Sequence, residues 1–359
     1  MSDLQNKLEN KKVLVALSGG VDSSVATALL KQQGYAVEAA YMHCWSKGPY
    51  CSTEKDQADA AKVAAYLGVS LHVFDFEAEY KKKVISYFFA ETEKGRTPNP
   101  DVMCNQEIKF GLFLKKAKKL GFDYIATGHY ARVKKDKNGY HLLTGLDSNK
   151  DQSYFLYRVG QEQLTYTLFP IGDLTKVQVR KKAIELGLPT ANKPDSTGIC
   201  FVGPAKVKEF LAQNIKYTHG EIVNTEGRVL GRHRGLPFYT IGQREGIGIS
   251  ASVPHYVASK KPKTNTLVIA PIGHVALFKR RFIVKDTKWV SGREPDCPFE
   301  AQVKLRYRAL NARAAIKKIN GRFEICLENS QRAITPGQSA VFYKKEDVLG
   351  GAVIDRTLR

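Results

Sequence analysis

The residues with the clearest chemical potential lie in the stretch VLVALSGGVDSSVATALL, Val13 to Leu30, and around two of the six cysteines. Val13 to Leu17 has the composition of a buried strand, and from Ser24 the apolar residues recur at helical spacing, so Ser18 to Ser23 is the turn between them. Gly19 and Gly20 let the backbone bend and approach a ligand, and free amides at the start of the following helix favour an anion. The pattern excludes a Walker loop, because no lysine stands between Ser18 and Ser24, and it lacks the spaced glycines of a dinucleotide fingerprint. A phosphate group is the expected occupant.

Cys104 lies in TPNPDVMCNQEIKFG. With a helix expected from Asn105 to Leu120, its thiol would sit at or just before a helix N-terminus, where the dipole favours thiolate. Asp101, three residues earlier, would exchange protons or cap that helix. Cys200 lies in ANKPDSTGICFVG, a polar, turn-rich loop in which a thiol is reactive if exposed. Taken singly, Cys104 reads more readily as an inert, packed thiol, and Cys200 reads equally as an apolar cysteine tucked beside Ile199 and Phe201.

Several elements must position these groups. Beyond the first strand and helix, strands are expected at Ala36–Met42, Leu71–Phe76 and Tyr124–Thr127. Helices are expected from Thr53 to Leu67 and from about Glu79. This alternation implies a parallel sheet with helices on both faces, with SGGVDSS, Met42 and Gly128 together at the carboxyl ends of its strands. From Glu221 onward, short apolar runs separated by NTEG, QREGIG, KPKTN and TPGQ indicate β structure. The expected architecture is therefore α/β over 1–205, a small β-rich linking domain over 206–273, and a closed barrel or sandwich over 274–359.

With 56 Lys and Arg against 35 Asp and Glu, the net charge is +21, which favours a polyanionic partner. The excess is +6, +6 and +9 over the three segments, densest per residue in the last two. The cysteines, at 44, 51, 104, 200, 297 and 326, form no C-x-x-C, which argues against a zinc ribbon or conventional cluster and for mostly reduced thiols. No run approaches the roughly 18 apolar residues of a membrane span, and no secretion signal is evident. A cytoplasmic protein, monomeric by default, is the expectation.

SGGVDSS resembles the pyrophosphate loop of the ATP-pyrophosphatases. Together with NPDVMCN, TGHYAR, KDQSYFLY, STGICFVG, the run Gly242–Gly248, LRYRA and TPGQSAVFY, it makes nearly the whole chain similar to the bacterial tRNA-uridine 2-sulfurtransferases. The resemblance implies that Ala16, Leu17, Ser18, Gly19, Gly20, Val21, Asp22 and Ser23 bind ATP, completed by Met42 and Gly128, with Mg²⁺ accompanying the phosphates. It implies that Asn99, Pro100 and Asp101 meet the target base. It makes Cys104 the attacking thiol and Cys200 the persulfide carrier, charged by a sulfur-relay donor protein and pairing with Cys104 in a disulfide when the cycle ends. His129, Lys150, Asp151, Gln152, Arg306, Tyr307 and Gln338 match tRNA-contacting positions. By residue type alone, Lys150 and Arg306 would pass for solvated charges, Tyr307 for a barrel side chain and Gln338 for a turn residue. The resemblance also implies a Cys200 loop that moves. Two other activities fit the loop without needing both thiols: a tRNA ligase of the lysidine synthetase type, and an RNA-binding protein whose ATP site only regulates docking.

Overall fold

Val13, Leu14 and Val15 are fully buried, as a strand covered on both faces must be. They form β1 (Lys12–Ala16), followed by α1 (Val21–Gln32), β2 (Ala36–His43), α2 (Thr53–Leu67) and β3 (Leu71–Asp75). This computed structural model describes residues 11–45, 53–195 and 207–358. Next come α3 (Glu77–Tyr80), a π-helical turn Lys81–Ile85, and α4 (Ser86–Glu93), then α5 (Pro100–Cys104), a π-helical stretch Asn105–Phe113, α6 (Leu114–Lys119) and β4 (Tyr124–Thr127). The helix around Cys104 therefore starts at Pro100, not Asn105. Pro at the first helical position costs no hydrogen bond, and the Asn99 carbonyl oxygen Oδ1 accepts from the Val102 amide at 3.4 Å. Asn99, not Asp101, is the cap.

A hairpin follows, β5 (Ala131–Asp136) and β6 (Gly139–Thr144), then β7 (Thr167–Leu168) and α7 (Lys176–Glu185). The parallel sheet has the order β3-β2-β1-β4-β7, so the winding reverses between β1 and β4, where ligands bind in such sheets. The hairpin leaves this sheet. Leu143 on β6 pairs with Asp347 at the far end of the chain, so residues 131–144 extend the C-terminal sheet and cut across the expected partition at 205.

After α8 (Val207–Asn214), strands β8 (Gly220–Val223), β9 (Val229–His233), β10 (His255–Lys261) and β11 (Thr266–Pro271) form a small sheet in the order β10-β11-β8-β9. The last six strands are β12 (Phe278–Trp289), β13 (Phe299–Lys304), β14 (Ala312–Ile319), β15 (Arg322–Arg332), β16 (Ser339–Lys344) and β17 (Asp347–Thr357). They run β12-β15-β14-β13-β16-β17 and close through β12–β17 pairing, which makes a barrel and leaves no open edge among the six. Phe282, Ile316, Ile325, Phe342 and Ile354 fill its interior.

The barrel is bound to the α/β unit by polar contacts at specific points. Gly337, at φ +95°, lies so close to Thr97 that a Cβ would meet its backbone at 2.9 Å, and the Thr97 amide donates to the Pro336 carbonyl at 2.9 Å. Asp151, only 4% exposed, pairs with Lys304 of β13 at 3.2 Å and accepts the Gly145 and Ser153 amides. His141 on β6 bonds Asp347 at 2.9 Å and Asp136 at 3.1 Å.

Two outcomes follow. Lys304→Met strands the buried Asp151 charge and is expected to cost about 3 kcal/mol in urea unfolding, partly recovered by Asp151→Asn in the same chain; a cost below about 1 kcal/mol contradicts this. Hydrogen bonding to Asp347, which outweighs burial, raises the His141 pKa above the usual imidazole value. A raised folded-state value means that the clamp contributes fully below about pH 6.5, the unfolded value, and is lost as pH rises through the folded value. Amide-exchange protection of β5 and β6, corrected for intrinsic rates, should fall across that window in the native chain. In His141→Gln it should stay level.

Candidate active site

The phosphate loop begins where β1 ends. Leu17 is buried and its amide donates to the Ala40 carbonyl at 2.9 Å, which aligns the loop with β2. Gly19 has φ +72°, and a Cβ there would lie 2.2 Å from the Asp56 carbonyl oxygen, so both conformation and space require glycine. Ser23 Oγ accepts the Ser18 amide at 3.2 Å and donates to the Gly20 carbonyl at 3.1 Å, closing the loop on itself. Gly20 caps α1 with no side-chain acceptor, leaving the amides before the first intrahelical bond available to an anion. Gly128, just after β4, approaches the loop from the other side of the switch: a Cβ there would sit 2.6 Å from the Ser23 amide nitrogen. Met42 is the penultimate residue of β2. The structure thus brings Ala16 to Ser23, Met42 and Gly128 to one end of the sheet.

Charges from distant sequence surround this loop. Asp22 accepts from Tyr130 Oη at 2.8 Å and from Lys176 Nζ at 2.7 Å. Lys176 also meets Asp195 at 2.9 Å, and Asp195 further binds Lys150 at 2.6 Å and Arg180. Burial alone would raise the Asp195 carboxyl, but the hydrogen bonds from Lys150 and Lys176 outweigh it and hold the group well below the usual carboxylate range. Lys193 Nζ donates to the Gly19 carbonyl at 3.0 Å and to Asp56 and Asp59, each at 2.7 Å. Burial opposes its charge, yet those carboxylates raise its pKa. Lys176 and Arg180 escape sequence reasoning, because a lysine- and arginine-rich helix such as KVQVRKKAIE has the composition of a solvated face, and Lys193 does so as a single lysine in a turn-rich segment.

Cys104 is 4% exposed and lies in the fifth position of α5, not at its start, with the π-helical stretch continuing from Asn105. Asn99 and Pro100 are buried beside it and Asp101 is half-buried. Asn105 Nδ2 donates to the Phe155 carbonyl at 3.1 Å, the Phe155 ring lies 4.7 Å from that of Tyr307, and Gln338 Nε2 donates to the Thr97 carbonyl at 2.9 Å. Tyr307 of the barrel therefore reaches the NPDVMC segment through Phe155, and Gln338 bonds the backbone just before it. Arg306 is exposed and donates to the Ala333 carbonyl. Cys200 and Cys51 lie outside the described residues, as does the loop expected to move. Cys44 is half-buried just beyond β2.

Three of the residues matched to tRNA contacts face inward in this structure. His129 is 8% exposed, bonds Thr127 Oγ1 at 2.7 Å and sits between Phe110 and Phe169; burial pushes its pKa well below the ordinary value, so the ring is neutral. Asp151 is the buried partner of Lys304, and Gln152 Oε1 accepts the Tyr130 amide at 3.0 Å. Such contacts brace the site from within. Residues 150–155 form a strap: Lys150 reaches the charge cluster beside the phosphate loop, and Phe155 holds Asn105 next to Cys104. Residues 150–155, five steps of at most about 17 Å between Cα atoms, thus link the loop's charge cluster to the cysteine segment.

Residues 11–204 match a family model described as the tRNA methyl transferase HUP domain, 208–271 its PRC-barrel domain, and 279–354 an aminomethyltransferase beta-barrel domain. A protein of Ruthia magnifica named tRNA-specific 2-thiouridylase MnmA is 47% identical over 361 residues, covering 98% of this chain and 99% of its own. Proteins of the same name from Hydrogenovibrio crunogenus and Haemophilus ducreyi are 48% and 46% identical, covering 96% and 98% of this chain and 94% of each of their own. Although the domain descriptions mention methyl transfer, identity near one half from end to end decides the matter: this chain belongs to the tRNA-specific 2-thiouridylase family.

Proposed function

We propose that the chain replaces the C2 oxygen of the wobble uridine of tRNA with sulfur, consuming ATP, in the isoacceptors for lysine, glutamate and glutamine. The observation that carries this reading is the juxtaposition of an anion-binding loop with a buried cysteine segment on one strap. Oxide is a hopeless leaving group, so the uridine C2 oxygen first attacks the α-phosphate of ATP, the N3 proton departs, and pyrophosphate leaves into the loop. The loop amides and the cations around Asp22 suit the charge that this step develops. Asn99, Pro100 and Asp101 line the place for the base, which is extruded from the anticodon stack. The terminal sulfur of a Cys200 persulfide then becomes bonded to C2, either as sulfide released when Cys104 attacks Cys200 Sγ of the persulfide, or by direct attack, after which Cys104 attacks Cys200 Sγ and breaks the S–S bond to leave the sulfur on C2. AMP carries the oxygen away, and both routes leave a Cys104–Cys200 disulfide, which an external thiol must reduce.

Asp195, five residues before Cys200 in the chain, is anchored at the phosphate loop, and an extended segment of that length spans at most about 17 Å, which supports the delivery step. Lys150, Arg306 and Tyr307 are the matched positions suited to touch tRNA, with His129, Asp151, Gln152 and Gln338 supporting them from behind. Mg²⁺ would be borne by the phosphates, where it would neutralise charge. The chain would work as a cytoplasmic monomer charged by a persulfide donor protein. No helix among the described residues is long and apolar enough to cross a membrane.

The test is a tRNA thiolation assay with ATP and a sulfur source on the native chain, Cys104→Ser and Cys200→Ser. Loss of at least about 10³-fold in each variant, with ATP affinity within about twofold, is expected; product from either variant would overturn the reading in favour of chemistry without paired thiols. Lys176→Met should lower kcat/KM for ATP by roughly 10- to 100-fold, the scale of one lost electrostatic contact to a phosphate. An unchanged value would remove Lys176 from the site.

A further inference from the structure

A cleft of about 620 Å³ lies where α8 meets the small central sheet, outside the site just described. Its lining includes Arg232 and Arg234 at the end of β9, with His219, Tyr217, Phe238 and one carboxylate, Glu209, on α8. Both arginines are exposed, and neither has an ion-pair partner among the described residues. Tyr217 is 40% exposed and braced edge-on by Phe238 at 4.6 Å and 77°. Two unpaired guanidinium groups beside a braced aromatic ring suit a phosphodiester with its base, because the cations take the phosphates and the ring offers a stacking surface.

One short run of the chain links the cleft to Arg306 of the proposed tRNA face. Gly246 and Gly248 form part of its wall, and at the other end of the same run Gly242 lies so close to Arg306 that a Cβ would meet Nη2 at 3.3 Å. Three residues lie between Gly242 and Gly246, four steps of at most about 14 Å in all, and exposed Arg244 is the middle one. On the opposite wall, α8 is fixed to the catalytic unit: Phe210 stacks on Phe89 at 5.3 Å and meets Trp45 at 6.1 Å. Resting on the tRNA reading above, we propose that this cleft is a second tRNA site, holding a backbone phosphate and adjacent base of the same molecule whose uridine enters the catalytic pocket. It gives the Gly242–Gly248 run a role, as the bridge between Arg306 and the cleft.

The test compares the native chain with Arg232→Gln/Arg234→Gln, Tyr217→Ala and Tyr217→Phe. The double variant is expected to raise the tRNA KM about tenfold with kcat within twofold, and to reduce the slope of log affinity against log salt by about 2. Tyr217→Ala should raise KM about fivefold and Tyr217→Phe should restore it. Unaltered ATP binding in each variant reports an intact catalytic unit. Filter binding of tRNA without ATP reads the cleft even if no thiolated product forms, which separates this inference from the catalytic one. Unchanged tRNA affinity and salt slope overturn it. So does a defect seen only with a persulfide donor protein and absent with inorganic sulfide, which would make the cleft a protein-docking surface.

Discussion

The buried carboxylate of Asp151 is the pin on which the site depends. It neutralises Lys304 of the barrel and accepts two backbone amides, and so fixes the strap from Lys150 to Phe155 between three bodies. Lys150 then points to Asp195, Gln152 holds Tyr130 for Asp22, and Phe155 carries Asn105 beside Cys104. A buried ion pair adds little net stability over an apolar pair, but it penalises every arrangement in which one charge loses the other. Register, rather than strength, is what this pair supplies. A strap displaced by one residue would separate the phosphate loop from its cations and the cysteine segment from the barrel.

The proposed phosphate loop carries no lysine of its own. Its amides and hydroxyls close on each other, while the positive charge comes from Lys150, Lys176, Arg180 and Lys193, far along the chain. Asp22, Asp195, Asp56 and Asp59 hold those cations in place. Bound phosphates would compete with carboxylates that are already there, so the site is preorganised and costs little rearrangement at the moment of reaction.

Much of this was legible in the sequence. The run from Val13 to Ser24 revealed a strand, a sharp turn and a helix start, and β2, β3 and β4 fall within two residues of the positions their apolar patterns indicate. The sequence pattern starts the helix at Cys104 from Asn105, whereas Pro100 is the first helical residue and Asn99 its cap. The hairpin 131–144 was missed although Asn138-Gly139 is a turn signal, because its partner, β17, lies some two hundred residues on and no local pattern announces such pairing. His129, Asp151 and Gln152 show the opposite limit. Their match to tRNA-contacting positions was visible, but only the fold shows them turned inward.

In the proposed cycle, adenylation of the uridine oxygen is what makes thiolation possible. The most direct measurement uses tRNA carrying ¹⁸O at C2 of the wobble uridine, ATP and a sulfur donor, with mass analysis of the released nucleotide. The account predicts one ¹⁸O in the phosphate of AMP for each thiolated tRNA. Label found instead in water, or retained in tRNA while AMP is released unlabelled, would contradict it.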